Sequence, residues 1–166
     1  MEQVYIGLGS NFGQPLKELQ LAVNFLKTQL QDLKISAVYQ SLPEGFQSPN
    51  MFLNAVATGL FGLEPNNLLK QLLDYEESRG RKRSNSGYSD RPIDLDILFF
   101  GEHIIDSPVL KIPHPHVFKR AFVVLPLFDL APHLWHPAKQ KLVWQAKMEL
   151  DKLGGINSIK TGLSCT

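Results

Sequence analysis

Two stretches of helical spacing, each opened by a proline, stand among four strand-like runs, and that order limits what the chain can fold into. Residues 4–10 (VYIGLGS) are a short apolar run closing on Gly and Ser, the pattern of a buried strand. From Pro15 to about Leu30, Leu16, Leu19, Val23, Leu26 and Leu30 keep helical spacing. A proline suits the first turn because its missing N–H would have no helical partner there. Residues 34–42 alternate Ile35, Ala37 and Tyr39 with more polar neighbours, and 51–62 form a further strand-like run after the Pro/Gly/Ser/Asn-rich loop 43–50. Pro65 opens a second helix that Gly80 closes. A basic Ser/Gly-rich loop (81–90) leads to RPIDLDILFFG (91–101). Strand, helix, strand, strand, helix, strand is the split βαβ pattern, so the expected class is α+β. The expected core is ferredoxin-like βαββαβ, a mixed, mostly antiparallel sheet with helices packed on it.

After this core, 102–120 read as short strand pieces and turns, and AFVVLPLFDLAP as a helix interrupted near Pro126. Beyond Pro137 a peripheral C-terminal appendage is expected, with a mobile tail from about residue 155. The 166 residues, 43% of them hydrophobic, suit one domain with a real core. A net charge of +1 supplies no bulk field for nucleic acid or membrane. One cysteine, Cys165, excludes a disulfide framework within the chain. The N-terminus runs straight into a strand pattern without a signal-like segment, and no stretch approaches the ~18 apolar residues of a membrane span. A cytoplasmic protein is expected.

Asp94 and Asp96 sit two apart in the last core strand, so both carboxylates face the same way. Like charges so placed repel and raise each other's pKa. Converging carboxylates suit Mg²⁺, which takes a few of them and completes its shell from water and phosphates. An exposed edge strand with polar teeth is the plainer reading of the same spacing. Glu76 extends the buried stripe of the second helix (Leu69, Leu72, Leu73), where a carboxylate needs a partner. That partner is either a ligand or a nearby arginine. Arg81, Arg83 and Arg91 flank the aspartates in sequence, and Lys119 and Arg120 follow. Taken alone, the basic run reads as a solvated loop. Beside an acidic pair it points to phosphates, with guanidinium forks taking oxygens the metal leaves.

IPHPHVFKRAF (112–122) places His114 and His116 two apart without a third ligand, so phosphate hydrogen bonding is the better functional use. Phe52 and Phe122 read first as core residues. GLGSN near the start is a faint echo of a nucleotide loop, without the lysine of a P-loop.

In order, YIGLGSN, GFQSPNMFLNA, RPIDLDILFFG and IPHPHVFKRAFVVLPL resemble the 6-hydroxymethyl-7,8-dihydropterin pyrophosphokinase family of folate biosynthesis, over about residues 3–137. The resemblance implies transfer of pyrophosphate from ATP to the hydroxymethyl group of the pterin, release of AMP, two Mg²⁺ ions and a monomeric enzyme. By position, Asp94 and Asp96 would hold the metal ions. Arg81, Arg83 and Arg91 match family arginines in and after the loop, and His114 and Arg120 match its phosphate-binding pair. Glu76 and Ile97 would lie at the nucleotide. Phe52 and Phe122 would sandwich the ring, Asn54 would read its polar edge, and Ser41, Pro43, Glu44 and Gly45 would contribute further contacts.

Some positions depart from the family pattern. Ser89-Asp90 replaces Gly-Pro, Tyr88 stands for an upstream Trp, Gly87 for a loop arginine, and SLPEG replaces a Thr-Glu-Pro or Thr-Pro-Pro sequence. Whether Asp90 faces the metal site is left open. Two other classes compete: a ferredoxin-like module that binds a ligand without turnover, and a two-metal nuclease. The nuclease would want a broader basic face.

Overall fold

A computed structural model describes residues 1–81, 88–153, 158–161 and 164–166. The core elements are β1 (Glu2–Ser10), α1 (Pro15–Gln29), β2 (Gln31–Ile35), β3 (Tyr39–Ser41), β4 (Phe52–Phe61), α2 (Pro65–Ser78) and β5 (Asp94–Phe100). Both helices start at the expected prolines. Gly80, just past α2, takes φ +85°, the left-handed turn that a side chain resists.

β1 lies between β4 and β5, while β4 pairs with β1, β2 and β3. The strands joined through α1 thus flank β4, and those joined through α2 flank β1: two interleaved split βαβ units, as the element order implies. Every described pairing is antiparallel, so the sheet is antiparallel rather than mixed. The single strand expected over 34–42 is broken into β2 and β3. At the break the Ser36 Oγ accepts the Val56 N–H at 2.9 Å, so a side chain stands in for a ladder carbonyl.

α1 and α2 cover one face of the sheet. Val4, Ile6 and Leu8 of β1 join Leu19, Val23, Leu26, Leu68, Leu72, Leu95 and Ile97 in one buried cluster. The second face is covered by α3 (Ala121–Leu130), against which α4 (Val143–Lys152) packs. There Val56, Leu98, Phe99, Leu127 and Val143 form a second cluster. Pro126 does not interrupt α3. It withholds one N–H donor, while Val124, Leu125 and Leu127 around it are buried. The expected C-terminal appendage beyond Pro137 includes α4, which packs on α3 and sends Val143 into this second core.

The small pairs β6 (Ile105–Asp106) with β7 (Lys111–Ile112), and β8 (Trp135–His136) with β9 (Lys141–Leu142), are the strand pieces and turns of the later chain. Within the segment expected as a tail, β10 (Ser158–Lys160) pairs antiparallel with β3, and Cys165 is buried. The remainder of the 155–166 segment, residues 155–157 and 162–163, lies outside the described residues. Among the described residues no helix is long and apolar enough to cross a membrane.

Candidate active site

Gly9 of β1 pairs with Asn54 of β4 on one side and with Asp94 of β5 on the other, and Gly7 pairs with Asp96. Directly paired residues share a face, so these groups project toward the α3 side of the sheet. A Cβ on Gly9 would stand 3.4 Å from the Asn54 Oδ1 and 3.7 Å from the Phe52 ring. The two glycines therefore leave an open floor between Asn54 and the aspartates.

Asp94 and Asp96 do share a face, as their spacing requires. Further along β5 the register slips between Tyr5 and Ile6 of β1. Leu98 and Phe99 both pack in the α3-side core and Phe100 turns to the other, so strict alternation fails at this irregularity. Beside it the His114 N–H donates to the Leu98 carbonyl at 2.9 Å, which fixes His114 over the strand.

Asp94 is held by two arginines: its Oδ1 is 2.5 Å from the Arg81 Nη1 and its Oδ2 2.8 Å from the Arg91 Nη2. Arg81 also lies 2.6 Å from the Glu76 Oε1. That same oxygen accepts the Leu95 N–H at 2.6 Å, tying α2 to β5. Glu76 thus has a structural pairing with an arginine and the strand backbone, and it also lines the larger of the two cavities described below. Burial, with the charges of Asp94 and Glu76, raises the Asp96 carboxyl to about 7, although Arg81 and Arg120 pull it down. Burial therefore disfavours the second ionised carboxylate of the pair, a cost that a bound cation would remove. Among the described residues no group of three potential ligands forms a metal cage. Two convergent carboxylates, one of them destabilised when ionised, fit Mg²⁺ with its remaining shell from water and phosphate.

Two cavities meet at these aspartates. One, of about 680 Å³, is lined by Phe46, Phe52, Asn54, Tyr88, Arg120 and Phe122, among others. The other, of about 970 Å³, is lined by Leu73, Glu76, Arg81, Ile97, Val109 and Lys111, among others. Asp94, Asp96 and His114 line both. Burial, aided by the charges of Arg120 and His116, lowers the His114 pKa to about 4, against an opposing pull from Asp94. Its Nδ1 accepts the His116 N–H at 3.1 Å, so in the neutral ring the proton sits on Nε2.

In the smaller cavity the Asn54 amide donates to the Ser41 Oγ at 2.9 Å and to the Tyr39 carbonyl at 3.4 Å. Its Oδ1 is thus the atom it can offer a ligand N–H. Arg91 stacks 5.1 Å above the Phe52 ring. Arg120 lies 3.5 Å from Glu44, 5.7 Å from the Phe122 ring centre, and donates to the Tyr88 hydroxyl at 3.3 Å. Ser41 and Glu44 line this cavity, but Pro43 and Gly45 are not in its wall. Gly45, at φ +82°, instead makes room for Tyr88, which a Cβ would meet at 3.1 Å. Asp90 faces away from the aspartates: its oxygens accept Asn11 Nδ2 at 2.7 Å and Asn50 Nδ2 at 2.6 Å. Arg83, with residues 82–87 of the basic loop, lies outside the described residues.

The sequence pattern of the 7,8-dihydro-6-hydroxymethylpterin-pyrophosphokinase family matches residues 5–132. The chain belongs to this family. It is 38% identical over 149 residues to the 2-amino-4-hydroxy-6-hydroxymethyldihydropteridine pyrophosphokinase of Aquifex aeolicus, covering 90% of this chain and 92% of that one. The enzyme of the same name from Porphyromonas gingivalis is 41% identical over 141 residues, covering 82% and 95%. Among solved structures, wild-type Plasmodium falciparum HPPK-DHPS superposes with a TM-score of 0.74 at 14% identity, a likeness of fold. That match covers 94% of this chain, which spans 46% of the other.

Within this pterin pyrophosphokinase family member, sequence reasoning missed Gly7, Gly9, Phe46 and Asn11. For Gly7, Gly9 and Asn11 the signal is present in GLGSN, read only as a weak nucleotide loop. Glycines alternating along a strand leave one face bare, and here that face is the cavity floor.

Proposed function

We propose that this chain transfers the pyrophosphoryl group of ATP to the hydroxymethyl group of 6-hydroxymethyl-7,8-dihydropterin, releasing AMP. The observation that carries this reading is the meeting of an aromatic-lined cavity and a larger polar one at Asp94, Asp96 and His114. A transfer enzyme needs two ligand sites that touch where the chemistry occurs.

The flat ring would lie between Phe52 and Phe122, with the Asn54 Oδ1 accepting from its amino edge. The nucleotide would lie along Glu76, Ile97 and Arg81. Asp94 and Asp96 would hold two Mg²⁺ ions, which bound there would neutralise phosphate charge and draw off charge that develops on phosphoryl oxygens. The hydroxymethyl oxygen forms a bond to the β-phosphorus, the bond from that phosphorus to the α,β-bridging oxygen breaks, and the hydroxyl proton leaves to water.

This chain's side chains bind and orient. Arg81, Arg83, Arg91 and Arg120 offer guanidinium forks to oxygens, and a neutral His114 donates from Nε2 without adding a charge. Such positioning in a partly dry cleft accounts for most of the acceleration in phosphoryl transfer. The protein is read as cytoplasmic and monomeric, acting on small molecules rather than nucleic acid or membrane.

The test is a product assay with ATP, Mg²⁺ and the reduced pterin. AMP and pterin diphosphate in equal amounts are expected. ADP as the sole nucleotide product would refute the reaction, and Mg²⁺-indifferent ATP binding without turnover would favour a non-catalytic module.

A further inference from the structure

Three segments distant in sequence meet just before β5. Asn11, 2% exposed, follows β1 directly. Its Nδ2 donates to the Asp90 Oδ1 at 2.7 Å and to the Asn50 carbonyl at 3.3 Å. Its Oδ1 accepts the Arg91 N–H at 2.9 Å, and its own N–H donates to the Arg91 carbonyl at 3.2 Å. The remaining Asp90 oxygen accepts the Asn50 Nδ2 at 2.6 Å, and the Asn50 N–H donates to the Ser48 Oγ at 3.1 Å. One carboxylate thus joins the end of β1, the 48–50 loop and the approach to β5.

What the brace holds is Arg91 and Phe52. Arg91 follows Asp90 directly, stacks 5.1 Å over the Phe52 ring and reaches Asp94 at 2.8 Å. Phe52 begins the strand two residues after Asn50 and lines the aromatic cavity. We propose that Asp90, acting through Asn11 and Asn50, is a positioning residue that sets the aromatic wall of the pterin cavity against the Arg91–Asp94 pair. Asp90 itself faces away from the aspartates and enters no reacting contact. Although burial alone would raise its carboxyl, hydrogen bonds from Ser48, Asn50 and Asn11 and the Arg91 charge outweigh that and hold it below its usual value. It is therefore a standing acceptor throughout the neutral range.

The donor pattern gives a sharp test, which rests on the pterin pyrophosphokinase reading. Asp90 accepts from two amide NH₂ groups, so Asp90→Asn must turn its own NH₂ toward one of them, in either orientation. Asn50→Asp alone sets two carboxylates face to face. In the double variant Asp90→Asn/Asn50→Asp, residue 90 accepts from Asn11 and donates to residue 50, so both amide bonds return, one with its polarity reversed.

Asp90→Asn is expected to raise KM for the pterin about tenfold with KM for ATP within about twofold of wild type, because residues in one network couple strongly and distant ones do not. The double variant should recover to within about threefold of wild type. An Asp90→Asn enzyme with unchanged pterin KM, or a double variant whose losses simply multiply, would overturn the proposal. If Asn50→Asp alone does not fold, as judged by its unfolding transition, Asn50→Ala removes the same bond and should itself raise pterin KM. An Asn50→Ala enzyme like wild type would also overturn the proposal. A wild-type protein without turnover would instead sink the functional reading, so the two failures are distinguishable.

Discussion

Arg91 and Asp94 are three residues apart, yet they join the two halves of the site: the guanidinium is 2.8 Å from the carboxylate, and its other surface covers Phe52 at 5.1 Å. One side chain therefore touches both the aromatic cavity and the acidic pair. Lysine could keep the charge but not a planar group that stacks and forks together.

The acidic pair should govern turnover more than folding. Asp94→Asn and Asp96→Asn keep shape and lose charge. Each is expected to lower kcat by about 10²–10³-fold, the scale seen when one preorganised electrostatic group is removed. Steady-state AMP formation measures this, with the unfolding midpoint as the control. Unchanged turnover in both would make the aspartates structural only.

Metal binding should depend on pH with a definite sign. The folded protein raises Asp96 to about 7, so without metal its contribution to stability is full below the unfolded carboxylate value and is lost as pH rises through about 7. His114, lowered to about 4, works the other way: its contribution is present above the unfolded histidine value and is lost as pH falls through about 4. The two oppose each other across the acidic range and largely cancel in the metal-free midpoint, to which the lowered His136, disfavoured as a cation by burial, adds a rise with pH. Mg²⁺ needs Asp96 ionised, so its stabilising shift at fixed concentration should be larger at about pH 8 than at about pH 6. Thermal unfolding with and without Mg²⁺ at both pH values checks it, and an equal shift would contradict the assignment.

The floor of the site should be intolerant of a single methyl. Gly9→Ala places a Cβ at ordinary contact distance from Asn54 and Phe52, so folding should survive. The added carbon occupies the space between Asn54 and Asp94. Misplacing the ring should lower kcat/KM for the pterin by about 10–100-fold, with the unfolding midpoint nearly unchanged.

Besides its place at the nucleotide cavity, Glu76 should matter to stability. Glu76→Ala strands the Leu95 N–H and one side of Arg81, both held by that carboxylate. A loss of about 3 kcal/mol is expected, the range for breaking a buried ion pair. Glu76→Gln keeps an acceptor for Leu95 and should cost about 1 kcal/mol. Denaturant unfolding of both variants separates the two effects.

Much of this was legible in the chain. Pro15, Pro65 and Gly80 mark helix ends because they act through local backbone geometry, which sequence carries directly. The shared face of Asp94 and Asp96 follows from strand periodicity alone. Long-range features were not legible. The break at Ser36 depends on a bond to Val56 twenty residues away. The slip near Leu98 depends on how β1 pairs with β5. Gly7 and Gly9 show their use only once Asn54 and the aspartates flank them. Asp90 looked like a third carboxylate at the site, and only its partners Asn11 and Asn50, 79 and 40 residues away, turn it outward.

The most direct measurement follows the β-phosphorus of ATP. With ATP labelled at that atom, Mg²⁺ and the reduced pterin, pyrophosphoryl transfer carries the label onto the pterin and leaves unlabelled AMP. Label retained on the nucleotide as ADP would contradict it.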